Sequence, residues 1–391
     1  MLTAITFFLI LGILVFVHEL GHFAVARYFK VTCDEFGFGF PPRMLGVYKK
    51  QGRWLRVWGS REVTDNESTV YSLNWIPLGG FVKIKGENDN GNHESDSFGA
   101  QKIWKRALIL AAGVIMNVIL AWFILFVAFA ITGLPEAYDA SQTWDKYHSD
   151  ARIQITQVMP ASPASQSGVL AGDIIIGIDG NKFASTKEIQ DFVQTKAGVK
   201  LNYQLRRGEE FMSKEVVPAE MAVDGDRKIV GIGIQIDQIA TVRYPWYQAL
   251  YKSAVAVYML LAMIVLGLWQ FFAQLFAGKA SGSAVAGPIG IYGITGQMVD
   301  LGLAYVLQFS AALSLNLAVL NILPIPALDG GRLFFLLIEK IRGKVMNRKL
   351  EIIFNNVFFL ALMLLVVVVT MIDIGKLGCL SCQIKNLFNK F

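Results

Sequence analysis

The 391-residue chain is 54% hydrophobic, has a mean hydropathy of +0.47 and carries a formal net charge of +6. That composition argues against a purely soluble protein. The basic residues cluster in two segments between apolar runs, which makes them topological signals and excludes reading them as a nucleic-acid footprint.

Five stretches lack any charged side chain: Met1 to Val17, Ala107 to Leu134, Ser253 to Gly278, Leu301 to Leu328 and Ile352 to Ile372. Each is near or above the ~20 residues that a helix needs to cross a ~30 Å hydrocarbon core. The first has no basic n-region and no small-x-small cleavage site, so it reads as a retained span. Thirteen Lys/Arg separate the first and second stretches and six separate the fourth and fifth. By the positive-inside rule those two loops are cytoplasmic, and the N-terminus, the middle third and the C-terminus face out.

The first stretch runs into "FVHELGHFAVARYF", Phe16 to Phe29. His18-Glu19-Leu20-Gly21-His22 is the H-E-x-x-H pattern: on a helix both imidazoles share a face and can reach one zinc, with Glu19 beside them as a base for water. A catalytic zinc takes three protein ligands and keeps an open position. Tyr28 stands where one soluble class places a third histidine, and neither His93 nor His148 has a supporting context.

Beyond it, "DEFGFGFPPRML" is aromatic and glycine-rich and suits a loop that dips into the membrane interface. Ser68 to Asp89 shows alternation broken by Pro77 and Gly79-Gly80, the mark of a β-hairpin or short sheet with an exposed edge, at about 68–86. A second span follows at about 105–132.

From about 135 to 245 the composition turns globular, with a compact domain expected at 145–240. "ARIQITQV", "KLNYQLRRG" and "KIVGIGIQI" read as strands, and "STKEIQDFVQTKAG" as a helix started by Ser185 or Thr186 with Glu188. Ala161 to Phe183 packs glycine turns around a strand at Ile174 to Ile178. That string resembles the core of a PDZ domain of the bacterial protease type. The resemblance implies that Gly231, Ile232, Gly233 and Ile234 receive an extended peptide by strand addition; a small β-rich domain without a ligand is the alternative.

"NILPIPALDGGRLF", Asn321 to Phe335, ends an apolar stretch in a carboxylate, Asp329, after Pro324 and Pro326 have broken the helix. Irregular backbone at membrane depth is tolerated only inside protein or along a cavity, so an acid there is a functional-site candidate. Cys33 stands alone after the first span, and Cys379 and Cys382 form a C-x-x-C with no further ligands nearby, left without a role.

"HELGH", "GVIMN" (Gly113 to Asn117), the inserted domain and "NILPIPALDGG", in that order, resemble the site-2 protease family of intramembrane zinc metalloproteases, nearest its bacterial regulator-of-sigma-E branch. The resemblance covers nearly the whole chain, with one PDZ domain where several relatives carry two. It implies that His18, His22 and Asp329 bind Zn2+, that Glu19 is the general base, and that Asn321 and Asn316 bind the substrate backbone. "IPLGGFVKIKG", with Gly79, Gly80 and Phe81, is similar to the family's membrane-associated β-element, which pairs with an unwound substrate strand. Implied partners are the lipid bilayer, single-span membrane proteins such as anti-sigma factors trimmed by an upstream site-1 protease, and remnant signal peptides, with no nucleic acid.

His22 and Asp329 can share a metal only at one depth. Were Ser253 to Gly278 to cross fully, the next run would travel the other way and leave Asp329 ~30 Å from the histidines. The expectation is therefore a polytopic α-helical membrane protein with four transmembrane helices (about 2–28, 105–132, 303–325 and 352–373), a membrane-associated β-hairpin or sheet and an inserted α+β PDZ domain. Residues 246–300 are expected to be re-entrant or surface-lying and amphipathic. The location is the bacterial inner membrane, with both termini and the PDZ domain periplasmic. A zinc-dependent transporter and a silent scaffold are the other classes open to these residues; the first leaves the PDZ-like insert unexplained, the second the intact HELGH.

Overall fold

In a computed structural model of the chain the described residues are 1–61, 63, 68–87, 94–137, 147–223, 227–278, 286–344 and 348–388. His93 lies outside them, as do the side chains of His148, Cys379 and Cys382. The chain starts with helix α1 (Leu2–Tyr28), continues through strands β1 (Cys33–Lys50), β2 (Arg53–Trp58) and β3 (Val70–Ile84), and enters α2 (Ile103–Val127), which ends in a π-helical turn, Ala128–Thr132. Next come β4 (Leu134–Ala137), β5 (His148–Val158), the single turn α3 (Pro163–Gln166), β6 (Ile174–Ile178) and α4 (Thr186–Gln194). Strands β7 (Leu201–Arg207), β8 (Glu210–Val216), β9 (Ala219–Val223), β10 (Arg227–Gly231) and β11 (Ile234–Val242) follow. The remainder is helical: α5 (Trp246–Phe276), α6 (Pro288–Leu301), α7 (Leu303–Ile322), α8 (Asp329–Arg342) and α9 (Arg348–Phe388).

The chain divides into two compact units, one of Met1–Leu125, Ala254–Gly296 and Phe309–Phe391, the other of Phe126–Ser253 and Gln297–Gln308. Across the described residues five helices are long and apolar enough to cross a membrane: Leu2–Tyr28, Ile103–Thr132, Trp246–Gln274, Leu303–Ile322 and Glu351–Gly375. They expose large apolar side chains, such as Ile5 and Leu9 on α1, Ile119 and Phe123 on α2, and Leu360 and Leu364 on α9. Surfaces of that kind are stable facing lipid and costly facing water.

The region expected to be re-entrant or surface-lying holds α5 and α6. Helix α5 is continuous over 31 residues, so five helices rather than four have the dimensions of a span. Its sequence has no proline between Trp246 and Phe276, and an unbroken helix satisfies every internal backbone group without water.

In the first unit β1 pairs antiparallel with β2 and β3 in the order β2-β1-β3. The aromatic, glycine-rich segment expected to be an interfacial loop is therefore strand, and the sheet has three strands beginning at Cys33. Glycine spacing explains the difference: a Cβ on Gly37 would stand 2.5 Å from Ser72 Oγ, so the strands approach closely only because the side chain is missing. Strand β3 lies against α1, where Gly79, at φ +86°, leaves room for Val15.

Ala26, Val31, Cys33, Ile84, Phe98, Ile109, Leu110 and Leu336 form one buried cluster, joining α1, the sheet, α2 and α8. Each Ile or Leu there is worth roughly 1.5–3 kcal/mol on burial, more than the ~0–1 kcal/mol of an ordinary surface ion pair. Burial pushes the Cys33 thiol up to about 12, leaving it protonated and inert. At the other end of this unit, Asp373 Oδ2 of α9 accepts from the backbone N–H of Gly287 and Gly290, both at 2.9 Å, and so caps α6. Helix α6 also meets the start of α1, with the Tyr292 and Phe7 rings 5.5 Å apart.

The second unit is built on an antiparallel six-stranded sheet, β4-β11-β5-β6-β7-β8, with β9 and β10 as a separate hairpin. Ile155, Ile178, Leu201, Tyr203, Leu205 and Val216 fill its core. Sequence reading placed the β6 strand at its observed bounds and found the α4 cap: Ser185 Oγ accepts from Glu188 N, while Glu188 reaches back to Ala184 N at 2.9 Å. The fully buried Asp173 carboxylate accepts from Arg207 Nε and Nη2 at 2.6 and 2.8 Å.

Candidate active site

Four residues apart on α1, His18 and His22 are both buried and turn their Nε2 atoms to within 3.3 Å of each other. A stripe on α2 faces them, with residues spaced four apart. The Ile109 carbonyl accepts from His22 Nδ1 at 2.8 Å, Gly113 presents no side chain, and the Asn117 amide lies 3.1 Å from His18 Nδ1. A Cβ on Gly113 would stand 2.7 Å from His18 Cε1, so the two rings occupy the space a side chain would need.

The third group arrives from the far end of the chain. After α7, residues Leu323 to Leu328 turn through short bonds such as Ile325 N to Leu323 O at 2.7 Å, with Ala327 at φ +75°. Asp329 then opens α8. Gly330 and Gly331 sit where a Cβ would collide with the backbone of Ile322, Leu323 and Ile325, which lets the first turn of α8 fold back on the end of α7. The Asp329 Oδ2 atom thereby comes 2.9 Å from His18 Nε2 and 3.3 Å from His22 Nε2.

These three donors fit zinc. Ligands at 2.0–2.2 Å in a tetrahedron are about 3.3–3.5 Å apart, close to the spacings seen, and two imidazoles with one carboxylate are a catalytic donor set that leaves a fourth position open. His22, donating through Nδ1 to a carbonyl, can only have its Nε2 lone pair directed inward.

Glu19 lines the same cavity as His22 and Asp329, a space of about 450 Å³ bounded also by Phe81, Val82, Glu87, Arg332, Asn355 and Asn356. Its Oε2 accepts from the Val82 backbone N–H at 3.2 Å, which ties the carboxylate to β3. Of the other sequence candidates, Asn321 brings its Nδ2 to 3.3 Å from His18 Nε2, and Phe81 reaches the cavity. Gly79 and Gly80 lie on the β3 edge against Val15 and Phe16 of α1. Asn316 is not brought to the cluster: it is exposed and its amide donates to Ala312 O of its own helix.

In the second unit Gly231 ends β10, Ile232 is buried with its carbonyl accepting from Ala164 N, Gly233 takes φ +79°, and Ile234 opens β11. From Ile234 to Gln238 β11 pairs with β5 alone among the described strands, its pairing with β4 covering Ile239 to Val242. Gln238 donates to Ala184 O, just before α4.

Sequence reasoning missed the α2 stripe, the Val82–Glu19 bond and the Glu87–Arg332 ion pair at the cavity wall. Only the first had a signal, the four-residue spacing of Ile109, Gly113 and Asn117.

The chain is similar to known proteins over most of its length. The model of peptidase family M50 matches residues 6–57 and 61–365. The regulator of sigma-W protease RasP of Bacillus subtilis is 28% identical over 457 residues, covering 96% of this chain and 99% of that protein. The zinc metalloprotease RasP of Geobacillus kaustophilus is 28% identical over 450 residues, covering 95% and 97%. Among solved structures, the PDZ domain of an SdrC-like protein from Listeria monocytogenes is 26% identical over 25% of this chain and 93% of that one, with a TM-score of 0.20. With the family model matched from its first helix to its last, the chain belongs to peptidase family M50, the site-2 proteases, and is an intramembrane zinc metalloprotease that spans a bacterial membrane several times.

Proposed function

We propose that His18, His22 and Asp329 hold the zinc and that Glu19 is the general base of a protease that cuts peptide bonds inside the transmembrane segments of single-span membrane proteins. The observation that carries this is the meeting of those three donors, with Glu19 in the same cavity, in a chain of long apolar helices. Zinc, when bound, supplies a Lewis acid that brings the pKa of water toward ~7. Glu19 takes the proton on its carboxylate, held in place by the Val82 N–H, and returns it to the leaving amine.

A transmembrane helix resists hydrolysis because its carbonyls are bonded internally, so the substrate must be held extended. The β3 edge at Gly79, Gly80 and Phe81 is suited to pair with such a strand, and the Asn321 amide lies where it can donate to the carbonyl at the scissile bond. We assign Asn316, five residues before Asn321 on α7, to the substrate backbone as well. By the same reading the substrates are anti-sigma factors already trimmed by a site-1 protease, or remnant signal peptides. The second unit is a PDZ domain whose groove runs along Gly231 to Ile234 beside α4.

We place the enzyme in the bacterial inner membrane with the termini and PDZ domain periplasmic and four full crossings. Support comes from α6: its capped start is held by Asp373 near the outer end of α9, and Tyr292 meets Phe7 near the outer end of α1. Ten residues separate Phe276 from Gly287, a reach of at most ~40 Å, so a full crossing by α5 would need most of them extended through lipid with unpaired backbone. Helix α5 accordingly has both ends on the outer side.

The test is cleavage of a single-span reporter by purified protein. The native enzyme cuts it, and Glu19→Gln slows cutting by about 10²–10⁴-fold while keeping its zinc. Equal rates would overturn the mechanism.

A further inference from the structure

A zinc-binding imidazole offers one nitrogen to the metal and needs an acceptor for the proton on the other. His22 has its acceptor in the Ile109 carbonyl. For His18 the group within bonding distance of Nδ1 is the Asn117 side-chain amide, whose Nδ2 stands 3.1 Å away. An amide exchanges its oxygen and nitrogen on a half-turn about Cβ–Cγ, and the two arrangements have opposite consequences for the ring. With nitrogen toward Nδ1 the amide donates, the ring proton sits on Nε2, and that proton points at Asp329. With oxygen toward Nδ1 the amide accepts, and the Nε2 lone pair faces His22 and Asp329.

We propose that Asn117 is a positioning residue that sets the His18 tautomer: its Oδ1 accepts the Nδ1 proton and so presents Nε2 to zinc. The inference rests on the zinc site assigned above. Three observations carry it. Asn117 is completely buried, where no solvent supplies a substitute acceptor. Its Oδ1 has no hydrogen-bond partner in the arrangement with nitrogen toward the ring, and the half-turn gives it the Nδ1 proton while the amide N–H groups take the vacated place. Finally, the turn that carries it is fixed, because the buried Ser314 of α7 donates through Oγ to the Asn117 backbone carbonyl at 2.8 Å.

The experiment measures zinc affinity of the purified full chain by chelator competition, with a thermal melt of each variant. Asn117→Leu, which keeps the volume and removes the acceptor, lowers zinc affinity by roughly 10- to 100-fold, and Asn117→Asp, which accepts through either oxygen, restores it. Asp329→Ala is run alongside. Zinc held by Asp329→Ala defeats the site assignment itself. Zinc lost from Asp329→Ala but held at native strength by Asn117→Leu overturns the role of Asn117 alone, as does equal loss from its Leu and Asp variants. If Asn117→Leu does not fold, Asn117→Asp still decides: native or tighter affinity supports the role, and a tenfold loss overturns it.

Discussion

A Cβ on Gly113 would stand 2.5 Å from Nε2 of His22, the atom assigned to zinc. Nothing in α2 requires glycine for its backbone, which is ordinary helix at this position. Glycine is there because the two imidazoles fill its side-chain space. Gly113→Ala should therefore push the rings apart, at an overpacking cost of about 1–3 kcal/mol, and lower zinc content and cleavage together. Metal analysis of the purified variant checks this; full zinc content with normal cleavage would contradict it.

The Glu87–Arg332 ion pair sits at the cavity wall and joins the turn after β3 to the first turn of α8, which carries Asp329. Coupling across such partly buried pairs is about 0.5–3 kcal/mol. Glu87→Arg and Arg332→Glu should each slow cleavage by roughly 3- to 100-fold, and the double reversal should recover part of the loss. A double-mutant cycle on kcat/KM measures it, and strict additivity would show that the pair is incidental.

In the second unit the fully buried Asp173 carboxylate is held by Arg207. Arg207 is partly exposed, so removing the carboxylate costs less than the ~3–5 kcal/mol of a fully buried pair. Asp173→Asn should loosen β5 to β7, seen as faster hydrogen exchange there, while exchange in α1 and α8 stays unchanged. Unchanged exchange in β5 to β7 would refute the cost assigned to this pair.

Single cysteines at the exposed Tyr247 and Phe276 positions test the placing of α5. With both ends outside, an impermeant thiol reagent added to spheroplasts labels both. Labelling at 247 alone would give α5 a full crossing. Cysteines at Arg342 and Lys200 should label from opposite sides.

Residues whose role is local were readable in the sequence. His18, Glu19 and His22 need only a helix to share a face, and β6 and the Ser185 cap need only their neighbours. Asp329 could be suspected from its prolines and glycines, yet its proposed role came through family likeness, because no local rule joins it to a histidine across the chain. Strand β1 was misread as a loop because its glycines look like turn residues until a partner strand explains them. Asn117 was quoted inside a motif without a role, since its partner lies on another helix. Helix α5 shows the opposite limit: its helicity follows from composition, whereas the disposition proposed for it is argued from α6, the next helix, which Asp373 caps and Phe7 meets.

The separation between His18 and Asp329 is 311 residues. At ~5–20 residues per second that is roughly 15–60 s of synthesis during which the histidines and glutamate are already made and the third ligand is not. A ribosome-bound chain is thus a protease without its metal clamp. On the ligand set proposed above, hydrolytic competence arrives only when the last sixth of the polypeptide emerges, so a half-made copy cannot yet cut the membrane proteins being inserted beside it.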